Sequence, residues 1–355
     1  MPAHIGQVAV PRRSPSFLTI RRAVRGFCSD CVVGLSGGAD SLALVAALAA
    51  ENVAAEAIVV DHGLQPGSAD VAAQARAQAQ RLGVPARVIA VEVGSAGGME
   101  AAARDARYEA LLAAAQGRPV LVGHTLDDQA ETVLLGLVRG SGAKSLAGMR
   151  PWTDLPGGTI GRPLLGVRRA DTESACQELG LNVWHDPQNT DAAFTRVRMR
   201  HELLPLLEDI AGGGAVAALG RTAELLRADD DALEAAAAEV LAGGGAGASA
   251  GLAMGLAVAD LAPLPEAVRT RVLRQWLLSQ GTGPLTFRHL TEVSRLVTDW
   301  HGQGPVAVPY HHDCGVQMAR KGNRLVVARK AGILGLYIQE ETGRIRQAGG
   351  GIPNA

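Results

Sequence analysis

The hexapeptide Ser36-Gly37-Gly38-Ala39-Asp40-Ser41 lies between a strand-forming run, Cys31–Leu35, and an alanine- and leucine-rich stretch with helical spacing. Few folds admit such a junction. A buried strand must turn sharply, on backbone free of Cβ atoms, into a helix whose first N–H groups have no partner. Those donors, with the hydroxyls of Ser36 and Ser41, make an anion cradle, so a polyphosphate is expected here. A Walker loop carries lysine followed by serine or threonine. This turn carries Asp40 instead, which suits Mg²⁺ bound to pyrophosphate and points to cleavage of ATP between its α and β phosphates.

Three further strand and helix pairs follow. Apolar runs at Ala57–Asp61, Ala86–Val91 and Val120–Gly123 precede helical patterns at Ala69–Leu82, Met99–Gln116 and Leu126–Arg139, and the first helix covers Ala39–Ala50. The alternation predicts an α/β fold, a parallel sheet with helices on both faces, with ligands at the carboxyl ends of the strands. Leu164–Leu207 reads as helical with breaks at Pro187 and Pro205, and Ala211–Gly214 as a boundary. Beyond it, helices are expected at Val216–Leu241, Glu266–Ser279 and Thr286–Asp299, and short strands at Val306–Pro309, Gly315–Ala319 and Arg324–Ala328. The expected organisation is an N-terminal extension over 1–25, a catalytic domain over 26–212, a smaller, mainly helical domain over 213–330 and a tail over 331–355.

With 47% apolar residues in 355, the chain can bury a full core. No run of about 18 apolar residues occurs, and no apolar segment precedes a cleavage site near the N-terminus, so a cytoplasmic protein with no membrane partner is expected. Cys28 and Cys31 form a C-x-x-C pair with no second pair to complete a metal site, and read as ordinary thiols. The net charge of −1 does not advertise nucleic-acid binding. Three local basic groups permit it: Arg162 with Arg168 and Arg169; Arg196 with Arg198 and Arg200; and Arg320 through Lys330.

The richest polar segment is Gly123-His124-Thr125-Leu126-Asp127-Asp128-Gln129-Ala130-Glu131-Thr132. A strand ends at His124, and Asp127 and Glu131, four apart, share one face of the next helix. Capping accounts for one acid in a first turn, not for three beside a histidine. Asp61-His62-Gly63-Leu64 ends the neighbouring strand and is balanced between a turn cap and a nucleotide contact. Arg139–Ser145 imitates a Walker loop without its spacing and reads as a glycine-rich turn.

The pattern SGGxDS resembles the PP-loop of the N-type ATP pyrophosphatases. Joined to Glu100-Ala-Ala-Ala-Arg104-Asp-Ala-Arg107-Tyr108, the His124 segment, Arg162-Pro163-Leu164-Leu165 and the stretch from Asp186 through Arg196 to Pro205, it resembles the tRNA(Ile)-lysidine synthetase family over Val32–Leu207. That resemblance implies adenylation of the wobble cytidine of a tRNA(Ile) with a CAU anticodon, followed by attack of free L-lysine. ATP and Mg²⁺ are the implied cosubstrate and metal. It further implies phosphate binding by Ser36, Gly37, Gly38, Ala39, Asp40 and Ser41, with Asp40 on the metal. Arg104 would reach the phosphates or intermediate, His124 the α-phosphate, Asp127 and Glu131 the lysine ammonium, and Arg196 and Arg200 the tRNA. Two positions depart from the family pattern, Gln188 and Val197. A homodimer is left open by the sequence.

Three rivals remain at this point. A tRNA 2-thiolating enzyme would need more cysteines, and an amidating synthetase an ammonia source. A non-catalytic nucleotide sensor would not need the acid-bearing helix.

Overall fold

The computed structural model describes residues 3–63, 67–91, 99–140, 142–187, 191, 193–243, 255–309 and 316–329. Gln188, Asn189 and Thr190, most of the glycine stretch after Gly243, and the tail over 331–355 lie outside them. Two compact units, Met1–Ala228 and Asp229–Ala355, divide the chain.

The first unit opens with a small hairpin, β1 (Ala3–Ile5) and β2 (Val8–Val10), and helix α1 (Pro15–Val24). Then come β3 (Asp30–Gly34), α2 (Ala39–Ala50), β4 (Ala54–Asp61), α3 (Ser68–Arg81), β5 (Ala86–Ala90), α4 (Met99–Ala115), β6 (Val120–Leu121) and α5 (Leu126–Val138). After a short turn α6 (Ala143–Leu146) the chain forms β7 (Trp152–Leu155), β8 (Gly158–Gly161) and α7 (Arg169–Glu178). The sheet order is β5-β4-β3-β6-β8-β7. All pairings are parallel except β7 with β8. The alternation predicted four of these strands. The β7–β8 hairpin escaped it because neither strand carries a continuous apolar run.

Strand β3 shows why both faces are covered. Cys31 and Val33 enter one core with α1, α2, α3 and α7, while Val32 enters a second with Leu111, Leu112 and Ala115 of α4. Successive side chains of a strand point to opposite faces, so an unbroken apolar strand needs helices on each. In α2, Ser41 through Leu48 are all buried, and its apolar surface runs all round.

Residues 3–25, within the expected extension, belong to the first unit. Phe17, Ile20 and Val24, spaced to fall on one stripe of α1, are at most 1% exposed and join the first core. Ser14 and Ser16 tie the start of α1 to Glu178 and Asp171 of α7. The glycine run near 212–214 links α9 (Leu204–Ile210) to α10 (Ala215–Ala242) within the first unit. The division falls inside α10, since a long helix gives no sequence signal at the point where its packing partners change.

Before α9 the chain forms α8 (Thr195–Arg198) and a wide π turn over Met199–Leu203. Pro205 has no N–H and its ring crowds the carbonyl one turn back, so the backbone widens there.

The second unit has more sheet than expected. Helices α11 (Val258–Leu261), α12 (Glu266–Ser279) and α13 (Phe287–Thr298) accompany four antiparallel strands. These are β9 (Leu256–Ala257), β10 (Val306–Val308), β11 (Val316–Lys321) and β12 (Arg324–Arg329), in the order β10-β11-β12-β9. Trp276, Leu273, Leu296, Met318 and Leu325 form the centre of its core.

Candidate active site

The loop after β3 is held open by its own side chains. Gly37 takes a left-handed φ of +85°, a conformation that favours glycine. Its carbonyl accepts from the Trp184 N–H at 3.0 Å. Ser36 Oγ and Ser41 Oγ lie 3.1 Å apart, and the Ser36 N–H donates to Ser41 Oγ at 3.2 Å. Gly38 offers no capping side chain, so the first N–H groups of α2 remain for a ligand. Gly123, after β6, approaches this loop closely. A Cβ there would stand 2.9 Å from the backbone carbonyl of Asp40, so only glycine lets the two strand ends meet.

Helix α5 begins with a capping box, in which Asp128 accepts from the Thr125 N–H at 2.8 Å. The other Asp128 oxygen, Oδ1, accepts from Arg169 Nη2 at 2.5 Å. Arg169 also reaches Glu131 Oε1 at 3.2 Å and Asp40 Oδ2 at 3.4 Å. Thr172 donates to the second oxygen of Asp40. Glu131, with no exposed side-chain surface, accepts from Arg200 Nε at 2.7 Å and has Arg196 Nε at 3.6 Å. Arg196 further donates to Thr132 at 3.0 Å. The π turn brings Arg196 and Arg200 onto this one carboxylate, while Arg198 between them pairs outward with Glu202.

Four carboxylates thus meet four guanidinium groups, the fourth pair being Asp127 and Arg168 at 3.1 Å. Burial pushes the Asp40 carboxyl up to about 6, against the pull of Arg169 and Thr172. Burial works in the same sense on Asp128, but Arg169, His124 and the Thr125 hydrogen bonds outweigh it and hold that carboxyl below its ordinary value.

His124 is pushed down to about 4, first by burial, with Asp128 opposing and Arg162 adding to the effect. Its Nδ1 accepts from Arg162 Nε at 3.3 Å. A guanidinium can only donate, so the imidazole is neutral at pH 7 with its proton on Nε2. Arg162 is anchored in turn by the Arg150 carbonyl and Thr153 Oγ1. Arg104 is exposed, lies over the Tyr108 ring at 5.6 Å, and its charge acts on His124.

Family models match a PP-loop domain over residues 22–207 and a TilS substrate binding domain over residues 256–326. A tRNA(Ile)-lysidine synthase of Mycobacterium tuberculosis is 56% identical over 308 residues, 86% of this chain and 90% of that protein. The one from Nocardia farcinica is 52% identical over 329 residues, 90% of this chain and 98% of that protein. The chain belongs to the tRNA(Ile)-lysidine synthase family. Among solved structures, the U34-tRNA thiolase NcsA from Methanococcus maripaludis superposes with a TM-score of 0.48 at 19% identity, covering 59% of this chain and 79% of that chain.

For a member of this ligase family, the structure brings Asp40, His124, Asp127, Glu131, Arg196 and Arg200 into one neighbourhood, and the charge of Arg104 reaches His124. Asp127 is engaged as its neighbours are: its oxygens take the Arg168 guanidinium and, at 2.7 Å, the Arg169 N–H, so it also caps the start of α7. Arg196 and Arg200 both turn toward Glu131, and Arg196 keeps 38% of its side chain exposed.

Sequence reasoning named Arg168 and Arg169 only as a basic group and Asp128 only as one of three acids, and passed over Thr172. A signal existed. Two arginines open α7, where the helix dipole disfavours cations, so their presence there called for carboxylates from elsewhere in the chain.

Cys28 and Cys31 sit apart from this chemistry. They lie at the amino end of β3, and the phosphate loop follows its carboxyl end. Cys176 donates to the Ala39 carbonyl at 3.4 Å, and burial pushes its thiol up to about 12. The imitation Walker string forms the short turn α6, with Ser141 outside the described residues.

Proposed function

We propose that this chain joins free L-lysine to C2 of the wobble cytidine in a tRNA(Ile) bearing a CAU anticodon, at the expense of ATP. In the first step the cytidine O2 attacks the α-phosphorus and pyrophosphate leaves. In the second the lysine ε-amine, having lost a proton, attacks C2, and the C2–O bond breaks to release AMP. Adenylation turns an unreactive ring carbonyl into a centre with a good leaving group, and the remaining task is to place the amine.

The observation that carries this reading is the meeting of the phosphate loop and the acid-bearing helix across the single guanidinium of Arg169. Ser36, Gly37, Gly38, Ala39 and Ser41, with the start of α2, would hold the phosphates. Asp40 is the carboxylate at that loop. One carboxylate with phosphate oxygens and waters suits Mg²⁺, which rarely takes an all-protein cage, and the bound ion would offset charge on pyrophosphate. His124 would offer Nε2–H to an α-phosphoryl oxygen as charge grows there, with no proton transfer. Arg104 would stand at the mouth toward the phosphates.

Asp128 and Glu131 form the acid side proposed for the lysine ammonium, and either provides the hydrogen-bond acceptor that proton loss requires. Arg196 and Arg200 set the edge of that side, and the tRNA backbone would pass them. The second unit, which matches the substrate binding domain, would add contacts to tRNA, the basic strand residues Arg320, Lys321 and Arg324 among them.

The test is incubation with CAU-anticodon tRNA, radiolabelled lysine and ATP. Label is expected in the tRNA only when ATP is present. Pyrophosphate release driven by a small acid, with the tRNA left unlabelled, would overturn the reading.

A further inference from the structure

We infer that Arg169 is the positioning residue that sets the distance between the phosphate side and the amine side of the crevice, acting through Asp40 on the one and through Asp128 and Glu131 on the other. The inference rests on the function proposed above and deepens it.

Three carboxylates from two helices share this one guanidinium, whose side chain is only 17% exposed. Its N–H groups lie in one rigid plane, so the carboxylates they hold acquire a fixed mutual geometry, which a point-charge ammonium does not impose. The neighbouring arginines do less. Arg168 serves Asp127, with Glu208 at 3.8 Å. Arg200 reaches Glu131 and, at 3.6 Å, Asp128. Arg196 reaches Glu131 and Thr132. Among the described residues Arg169 alone joins Asp40 to the carboxylates of α5.

Two features show that this linkage is not an accident of helix packing. Arg169 occupies the first turn of α7, against the dipole, so local helix stability does not favour it there. One turn on, the single O–H of Thr172 is shared between the other oxygen of Asp40 and the Arg169 carbonyl, which lies at 2.7 Å. Asp40 is therefore gripped twice by α7, and α7 is tied to α5 by Arg169. A change on the acid side must then be felt in nucleotide binding, with Arg169 as the carrier.

The experiment measures binding of a non-hydrolysable ATP analogue with Mg²⁺ by calorimetry in the full chain, in wild type, Asp128→Asn, Arg169→Lys and the double variant. Asp128→Asn is expected to shift affinity about threefold or more in the wild-type background, as for residues in one network, and to lose that shift when Arg169 is lysine. In lysine incorporation, Arg169→Lys should raise the KM for lysine by about tenfold with little change in melting temperature. Thr172→Val, which loosens Asp40 but leaves the Arg169 guanidinium in place, should weaken nucleotide binding while raising the KM for lysine less than Arg169→Lys does.

Equal Asp128→Asn shifts in both backgrounds, or an Arg169→Lys enzyme with unaltered lysine KM and only a lower melting temperature, would reduce Arg169 to a structural residue. If Arg169→Lys does not fold, Arg169→Gln takes its place in the same cycle. Wild-type protein that puts no lysine into the tRNA refutes the function itself, while the calorimetric coupling still decides the role of Arg169.

Discussion

In the second unit Asp230, 1% exposed, meets one arginine, Arg271, at 2.7 Å; in the first, Arg169 meets three carboxylates at once. Both are buried acid–arginine contacts, and they differ in what holds them. Asp230 and Arg271 join one helix to another, with Glu234 and Gln275 completing the seam one turn along. The crevice cluster draws on α2, α5, α7 and the π turn, beside a loop whose N–H groups are left for a ligand. A buried acid that meets a single arginine stabilises its fold, and its loss strands much of that arginine's charge, since Glu234 stands farther off at 3.8 Å. A many-to-many cluster can exchange partners with an incoming phosphate or ammonium. Burial of charge alone therefore does not mark a functional site; convergence of several elements on one charged group does.

The contrast breaks if changes in the two places act alike. Asp40→Asn should reduce pyrophosphate release by about 10³-fold, as measured with labelled ATP. The same variant should not be less stable at pH 8. Because burial raises the folded-state value from an ordinary 3.8 to about 6, the stability linked to Asp40 is full below pH 4 and lost as pH rises through about 6. An amide mimics the neutral form and should match or exceed the wild-type melting temperature. A clear fall at pH 8 would mean that the cluster serves the fold more than the chemistry.

Asp230→Ala should behave in the opposite way. Stranding Arg271 is expected to cost about 3 kcal/mol in urea unfolding, with ATP binding to the first unit unchanged. Loss of nucleotide binding at equal folded fraction would erase the distinction between the two sites.

His124 sharpens it further. Its folded-state value falls from 6.5 to about 4, so the stability linked to it is full above pH 6.5 and lost as pH falls through about 4. His124→Gln should flatten that acid limb by on the order of 2 kcal/mol, seen in denaturant melts between pH 6.5 and 4. The smallest effect belongs to Arg198→Ala. Its solvent-facing pair with Glu202 should leave melting temperature and lysine incorporation unchanged, whereas Arg200→Ala, two residues away, should impair incorporation.

Much of the site was legible before its geometry was known. His124, Asp127 and Glu131 stood out because acids in a first turn beside a strand-terminal histidine exceed what capping requires. The strands with unbroken apolar runs were legible for a similar reason. What escaped had weak local signals: β7 and β8, short and half polar, and the change of packing along α10. Asp127 was legible as an acid but its partner in the fold was not, since nothing near it in the chain says that the N-terminus of α7 will take its oxygens.

The chain by itself determined the phosphate loop, the helix that follows it and the crowding of acids on α5, because glycine placement, periodicity and capping act over a few residues. Tertiary structure alone decided which arginine meets which carboxylate. Arg169 lies 129 residues from Asp40 and 38 from Glu131, and contacts at such separations are chosen by how the sheet aligns its strand ends, which no short stretch of sequence encodes.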